Sequence, residues 1–486
     1  MGSIIAVVSK KGENATETAV TMLKTLEHEK TETFGIASPN TVRIERSIKA
    51  LENQQVDSPI IVGYAFSRIL NSDKPQPKKL ENAALVVEGR FYRPAAEILT
   101  ADRIAKELQL HPEALAETLV QKSEGDFTFV IAEAERIIAG RDVMGTRPLY
   151  YGENSDLAAL SSERKALWKV GIEETHSFPP GHLAIIDKHG FKFKPARTLT
   201  VSKPKQITME TAAKKLQSLL QQSLKERLLG LKEVAVAFSG GLDSSIIAFL
   251  AKKTPVDVHL IHVSLENQSE TDHAKRVAEE LKLPIHVYTY NEDDVEKIVR
   301  KVLWLIEEPD PVKTSIAIPI YWTAEKTADI NLKVLLAGQG ADELFGGYKR
   351  YVDDYLQYGS EKAQEAILNG IAEMHEANFE RDFKICNYHN TELRLPFAAY
   401  EIAKFATALP LELKIERSKD TLRKLVLRRA AQNIGLPRPV VGKPKKALQY
   451  TTGVAATLKK LAKRRGLLLK EYLQKMFQET FKDDGA

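Results

Sequence analysis

The segment Phe238-Ser-Gly-Gly-Leu-Asp-Ser-Ser245 holds the residue types that cradle an anion and balance its charge. Backbone N–H groups at Ser239, Gly240 and Gly241 can approach an oxyanion closely because glycine puts no side chain in the way. The hydroxyls of Ser239, Ser244 and Ser245 add further donors. Asp243 does not belong in a pure anion site; beside phosphate oxygens it suits a ligand of Mg²⁺. The preceding run Glu233-Val-Ala-Val-Ala-Phe238 reads as a strand, and Ile246 to Lys253 read as a helix. A strand feeding a glycine turn and a helix N-terminus adds the positive end of the helix dipole to the cradle. A bare S-G-G is an ordinary turn, but the full S-G-G-x-D-S-S behind an apolar strand is specific for phosphate. The G-x-x-x-x-G-K-[ST] pattern of kinase-type loops does not occur in it.

A second turn of the same kind lies downstream. Leu332-Lys-Val-Leu-Leu-Ala337 runs into Gly338-Gln-Gly-Ala-Asp-Glu-Leu-Phe-Gly-Gly-Tyr348, with the carboxylates Asp342 and Glu343 side by side. Asp342 reads either as the cap of the following helix or as a metal ligand. Beside the first loop the metal reading is the stronger, with Asp243 and Asp342 sharing one Mg²⁺ on a nucleotide triphosphate. The surrounding elements can supply that arrangement. Strand-like runs at 233–238, 258–264, 285–289 and 333–337 alternate with helical patterns at Met209–Leu229 and Thr271–Leu281. This alternation predicts a doubly wound parallel sheet, which binds nucleotides at the carboxyl ends of its strands.

The first 195 residues read differently, as short β-type runs with interleaved helices. Examples are Pro59-Ile-Ile-Val-Gly63, Ala84-Leu-Val-Val-Glu88, Phe127–Ala132, Arg136–Gly140 and His182–Asp187. The basic, proline-bearing Thr200–Ile207 is the candidate linker. Two domains follow, residues 1–200 and 207–486, as a chain of 486 residues should have. Cys386 is the single cysteine, which excludes an intrachain disulfide or a zinc ribbon and fits a cytoplasmic protein. No run approaches the ~18 apolar residues of a membrane span. Lys443, Lys445, Lys446, Lys459, Lys460, Lys463, Arg464 and Arg465 form a basic stretch. It reads as a solvated helical face rather than a nucleic-acid surface, since no RNA-binding signature accompanies it.

The first loop resembles the pyrophosphate loop of ATP pyrophosphatases, and both loops together resemble the synthetase domain of the asparagine synthetase family. Glu307-Glu-Pro-Asp310, Glu392-Leu-Arg-Leu-Pro-Phe397 and Lys443-Pro-Lys-Lys446 extend the likeness. Gly125–Phe129, Gly140-Arg-Asp142, Gly145–Tyr151, Ser161–Ala166 and Phe178–Gly181 track the family's glutaminase domain in order. The resemblance implies an α/β protein whose N-terminal-nucleophile-type αββα sandwich precedes a doubly wound ATP-pyrophosphatase domain. It implies ATP and Mg²⁺, and nucleotide contacts at Phe238, Ser239, Gly240, Gly241, Asp243, Ser244, Ser245, Val263 and Gly338. Catalytic roles fall to Lys445 or its neighbour Lys446 and to Gln339, and a homodimer is a family expectation. Arg394 reads equally as catalytic or as a structural partner of Glu392.

Two departures bear on the first domain. The family's nucleophile is a cysteine after the initiator Met, whereas this chain begins Met1-Gly2-Ser3. Gly2 offers no nucleophile, and Ser3 lacks the adjacent free amine that would activate it. The family's N-G-E-I-Y-N, whose Asn helps to build the oxyanion hole, appears as Glu88-Gly-Arg-Phe-Tyr-Arg93. A carboxylate there opposes oxyanion stabilisation. The expectation is a silent glutaminase, and hence an ammonia-fed ligase acting on aspartate or a related carboxylate, with ammonia free or from a separate supplier. A third departure sits in the second domain, where Gln339 stands in place of a frequent Glu and cannot act as a base. It leaves open a cyclase or ligase using another amine, as in β-lactam synthetase. A non-catalytic nucleotide-binding protein is the reading from a different class.

Overall fold

In the computed structural model, residues 1–486 are described except 55, 94–103, 105–110, 201–205, 419–421, 445–450 and 484–486. The chain divides into two compact units, Met1–Leu199 and Thr200–Gly485. Part of the expected linker, 201–205, lies outside the described residues.

Two antiparallel sheets form the first unit. One runs in the order His176–Ser177, Tyr150–Glu153, Leu157–Ser161, Gly2–Ser9, Ile60–Phe66, Thr33–Ala37, Val42–Glu45. The other runs Gly190–Pro195, His182–Asp187, Ile137–Arg141, Glu124–Ala132, Ala84–Arg93, Lys78–Lys79. Alternation along each strand sorts the apolar side chains between two faces. Ile4, Ala6 and Val8 point into the core between the sheets, where they meet Val86, Val130 and Ala139. Ile5 and Val7 point outward onto Ala19, Met22 and Leu23 of the helix Thr16–Thr25. On the other side, Leu115, Ala116 and Leu119 of the helix Pro112–Lys122 cover Leu85, Phe129 and Ile131. Apolar runs with no polar face are what a sheet covered on both sides requires. The layering is the expected αββα sandwich.

The second unit is built on five parallel strands in the order Ile285–Tyr290, Asp257–Leu265, Glu233–Ala237, Val334–Leu336, Glu392–Arg394. Chain order therefore reverses between Glu233–Ala237 and Val334–Leu336. That reversal is the topological switch point, where an open α/β sheet leaves a crevice at its carboxyl edge. Val236 pairs with Leu336, so both glycine turns leave the sheet at the same level. The helix after the first turn spans Leu242–Ala251 and begins four residues earlier than the sequence suggested. Gly241, extended at φ −79° and ψ 173°, is its N-cap, and Ser245 N–H closes the first turn on Gly241 O at 3.0 Å. Asp243 and Ser244 therefore sit inside the first helical turn.

The basic stretch near the C-terminus is matched by acidic partners. Lys460 and Arg464 pair with Glu292, and Arg465 pairs with Glu296 at 2.8 Å, all on the helix Glu292–Ile306. Lys460, Arg464 and Arg465 thus belong to a helix–helix seam, while Lys459 and Lys463 are exposed. Among the described residues no helix is long and apolar enough to cross a membrane.

One buried charge stands apart from these pairs. Lys414 is fully buried, its ammonium has no hydrogen-bond partner among the described residues, and burial lowers its pKa to about 7. In the unfolded chain the same amine titrates near 10.5. The folded state therefore binds fewer protons between those values, and this group's contribution to stability rises with pH from about 7 to about 10.5. Below the lower value the cost of burying the ammonium is present in full. Lys414→Met should raise stability at pH 7 by on the order of 4 kcal/mol, with the gain shrinking towards pH 10. Denaturant unfolding at pH 7 and pH 9.5 checks this; equal gains at both pH values would contradict it.

Candidate active site

Both glycine turns deliver a carboxylate to one point. Asp243, from the first turn, and Asp342, from the second, converge on the ammonium of Lys424. Lys424 Nζ lies 2.7 Å from each oxygen of Asp243 and 2.8 Å from Asp342 Oδ1. Its side chain is only 2% exposed, so these three groups form a largely desolvated charge cluster. Lys424 holds a left-handed backbone at φ +61°, just before the helix Leu425–Ile434. A lysine in that conformation carries local strain that the surrounding contacts must sustain.

Glycine makes the convergence possible at two places. A Cβ on Gly338 would lie 2.9 Å from Asp243 Cβ. On Gly347 it would lie 1.9 Å from Asp342 Oδ1 and 2.4 Å from Lys424 Cε. Gly347→Ala must therefore push the carboxylate and ammonium apart. Nucleotide-dependent pyrophosphate release should fall at least about 10²-fold, as a misplacement near 1 Å costs, with a loss of stability of about 1–3 kcal/mol from overpacking. Near-normal release by this variant would separate Asp342 and Lys424 from the chemistry.

The serines and glycines of the first turn lie next to Asp243 in the chain. Ser239 Oγ and Ser244 Oγ lie 3.3 Å apart, Ser239 N–H donates to Ser244 Oγ at 3.3 Å, and Gly241 N–H donates to Ser239 Oγ at 3.2 Å. These long contacts are ones an oxyanion can replace. Gly240 is in the left-handed region at φ +67°, which glycine adopts at no steric cost. Ser245 is different from the other two serines: it is fully buried, and its hydroxyl has no partner among the described residues. Phe238 is buried at the start of the loop. Val263 is buried on the neighbouring strand, two residues beyond Ile261, the partner of Ala237, where that strand overhangs the loop.

Around the second turn, acids are held by neutral donors or by arginine. Glu343 is buried and accepts from Tyr348 Oη and, at 2.7 Å, from Asn378 Nδ2. Burial first, and the Asp342 charge second, push its carboxyl above the usual range. It is a structural acid rather than a second metal ligand facing solvent. Gln339 Nε2 donates to Asp382 Oδ2 at 2.7 Å, and Arg381 Nε donates to Asp382 Oδ1 at 2.7 Å. Burial raises the pKa of the fully buried Asp382, opposed by Arg381 and Gln339. A glutamate at 339 would bring a second carboxylate to hydrogen-bond distance of Asp382, whereas the glutamine amide meets it with a donor. Since Nε2 is engaged, Oε1 is the atom Gln339 has left to accept from an amine.

Three further sequence expectations fall at or near this site. Arg394 Nε donates to Glu392 Oε1 at 2.6 Å and its guanidinium also reaches Arg227 O, with Arg394 fully buried, as the structural reading of this pair expects. Lys443 is tied to Glu270 on the helix Ser269–Leu281. Lys445 and Lys446 lie outside the described residues. Lys424 and Asp382 were not legible as site residues, because neither sits in a glycine turn. The only local mark on Lys424 is its positive φ, which a sequence does not display.

In the first unit the position of the expected nucleophile is closed. A Cβ on Gly2 would lie 2.0 Å from Ala65 O and 2.7 Å from Tyr64 Cζ. Tyr64 Oη donates to Glu88, which also accepts from Arg147 Nη1 at 3.3 Å; Glu88 is 4% exposed. The carboxylate at the expected oxyanion hole is thus bound by a phenol and a guanidinium. Desolvation and the Glu88 charge raise the Tyr64 pKa well above its usual value.

The asparagine synthase family model matches residues 215–363 and 355–483, and a glutamine amidotransferase domain model matches 101–169. A putative glutamine-hydrolysing asparagine synthetase of Methanocaldococcus jannaschii is 28% identical over 96% of this chain and 96% of its own length. The glutamine-hydrolysing asparagine synthetase of Gallus gallus is 24% identical over 72% of this chain and 67% of its own. A solved glutamine phosphoribosylpyrophosphate amidotransferase from B. subtilis covers 59% of this chain at 17% identity, with a TM-score of 0.35.

Proposed function

The chain belongs to the asparagine synthase family, and from that premise we propose that it joins aspartate, or a close relative of it, to free ammonia. It is a carbon–nitrogen ligase that forms AMP and pyrophosphate. The observation that carries the reading is the meeting of Asp243 and Asp342 on one cation, Lys424, at the switch point of the sheet. Asp243 and Asp342 are two oxygen ligands that would hold Mg²⁺ on a triphosphate, with phosphate oxygens completing its coordination and Lys424 drawn aside onto the phosphates. Held there, the ion supplies charge neutralisation on the phosphates.

The chain's own groups do the rest. Ser239 and Gly241 N–H and the hydroxyls of Ser239 and Ser244 bind the phosphates. The substrate carboxylate attacks the α-phosphorus, the bond to the β-phosphate oxygen breaks, and pyrophosphate leaves. Lys424, with Lys445 or Lys446, stabilises the departing negative charge. Ammonia then attacks the acyl carbon, the bond from that carbon to the AMP phosphate oxygen breaks, and the nitrogen gives up a proton to water as AMP leaves. Gln339 Oε1 accepts a hydrogen bond from the incoming amine and orients it. Isotope exchange between pyrophosphate and Mg·ATP tests the first half, since it needs adenylation alone. Exchange that appears only with aspartate supports the reading; none with any amino-acid carboxylate would remove it.

The nitrogen source rests on the first unit. A closed Gly2 position and an engaged Glu88 support a silent glutaminase, so ammonia must come from solution or from a separate protein. We place the reaction in the cytoplasm, where the unbridged, buried Cys386 is at home. A cyclase or ligase using a different amine is favoured by one observation, Gln339, which orients an amine without acting as a base.

A further inference from the structure

A glycine-rich loop does not by itself decide which way its peptide groups face. The Gly240–Gly241 peptide has glycine on both sides, and with no Cβ to restrict ψ of Gly240 or φ of Gly241 it can turn over. A turned-over peptide would aim a carbonyl oxygen, not an N–H, at a phosphate. Something outside the loop must hold it.

Two imidazoles from the neighbouring strand and helix touch the loop's carbonyls. His262, on the strand Asp257–Leu265, has Nδ1 2.9 Å from Phe238 O. His273, on the helix Ser269–Leu281, has Nε2 3.0 Å from Gly240 O. A carbonyl oxygen can only accept, so each of these ring nitrogens carries a proton. On His262 the other nitrogen is then bare, and it faces Thr271 Oγ1 at 3.2 Å, whose oxygen lies 2.8 Å from Ser264 Oγ. The chain of donors from Ser264 to Thr271 to His262 to Phe238 is complete and runs in one direction.

The peptide bond is planar and trans, so the C=O of one residue and the N–H of the next point in opposite directions. Fixing Phe238 O fixes Ser239 N–H, and fixing Gly240 O fixes Gly241 N–H. Both of those N–H groups are aimed at the hydroxyls of Ser244 and Ser239, inside the cradle. We propose that His262 and His273 are positioning residues that clamp these two carbonyls, so that the Ser239 and Gly241 N–H groups face the nucleotide phosphates. Histidine suits the task because it donates while uncharged. Burial lowers the pKa of both rings; Lys275 near His262, and Lys443 and Arg276 near His273, lower it further, against Glu270. A lysine or arginine donor would carry a full charge and compete with the loop for the phosphate.

The clamp rests on the nucleotide reading, and binding of Mg·ATP to the full chain by calorimetry tests the two separately. His273→Ala and His262→Ala should each weaken binding about 10-fold, the loss of one oriented hydrogen bond. His273→Gln and His262→Asn place an amide N–H at the atom that donates and should bind within about 3-fold of wild type. This rescue distinguishes a clamp from simple packing, because leucine at either position should fare no better than alanine. His273 is only partly buried, so its variants should fold even if His262→Ala, at a buried position, does not. Wild type that binds while every variant binds equally well overturns the clamp alone, as does amide rescue no better than alanine. Wild type that does not bind overturns the nucleotide reading and the clamp with it.

Discussion

Lys424→Met should unfold more easily by about 3 kcal/mol without ligand, and Mg²⁺ should return part of that loss. Removing one member of a buried charge cluster leaves the remaining charges less well compensated, which costs more than the contact was worth. Here two carboxylates, Asp243 and Asp342, lose the ammonium they share at 2.7 and 2.8 Å. A divalent cation can occupy the space between them, so added Mg²⁺ should stabilise the variant more than it stabilises wild type. The rate of pyrophosphate formation should fall about 10²–10³-fold, the scale of losing one preorganised positive group beside developing charge. Lys424→Arg should not rescue it, because a planar guanidinium does not fit where an ammonium meets three oxygens. Thermal unfolding with and without Mg²⁺, combined with pyrophosphate assay, reads all of this. Stability unchanged by the substitution, or insensitive to Mg²⁺, would separate the cluster from metal binding.

Gly2→Cys should not create a glutaminase. The substitution supplies the missing thiol but places a Cβ 2.0 Å from Ala65 O, against the wall formed by Tyr64. Overpacking of this kind costs about 1–3 kcal/mol, so the first unit should lose stability. Glutamate release from glutamine should stay at the uncatalysed level, and it should stay there in Gly2→Cys/Glu88→Asn as well, because Tyr64 still fills the space. Measurable release from the single variant would show that Gly2 alone silences the domain, and that the Tyr64 wall yields.

What the sequence displayed was local chemistry. The two glycine turns, Asp243 and Asp342 were readable because apolar strands, glycines and lone carboxylates follow each other within a few residues. The αββα layering came from the resemblance of Gly125–Phe129, Gly145–Tyr151 and Phe178–Gly181 to the family's glutaminase domain; the apolar runs by themselves showed only short strands. The helix start was misplaced because Leu242-Asp-Ser-Ser245 has loop composition, while Gly241 as N-cap and Leu242 and Ile246 on the buried face make it helix. Long-range partners stayed hidden. Lys424 is 181 residues from Asp243, and His262 and His273 look like ordinary strand and helix residues. Glu88 was read as a carboxylate aimed at an oxyanion; its partners Tyr64 and Arg147 come from two other segments, and only the fold shows them.

The most direct test of the central claim is product formation from Mg·ATP and aspartate, with ammonium, with glutamine, or with neither. The account predicts asparagine, AMP and pyrophosphate with ammonium, and no asparagine with glutamine alone. Asparagine formed from glutamine would contradict the silent first unit, and absence of asparagine with ammonium would contradict the ligase itself.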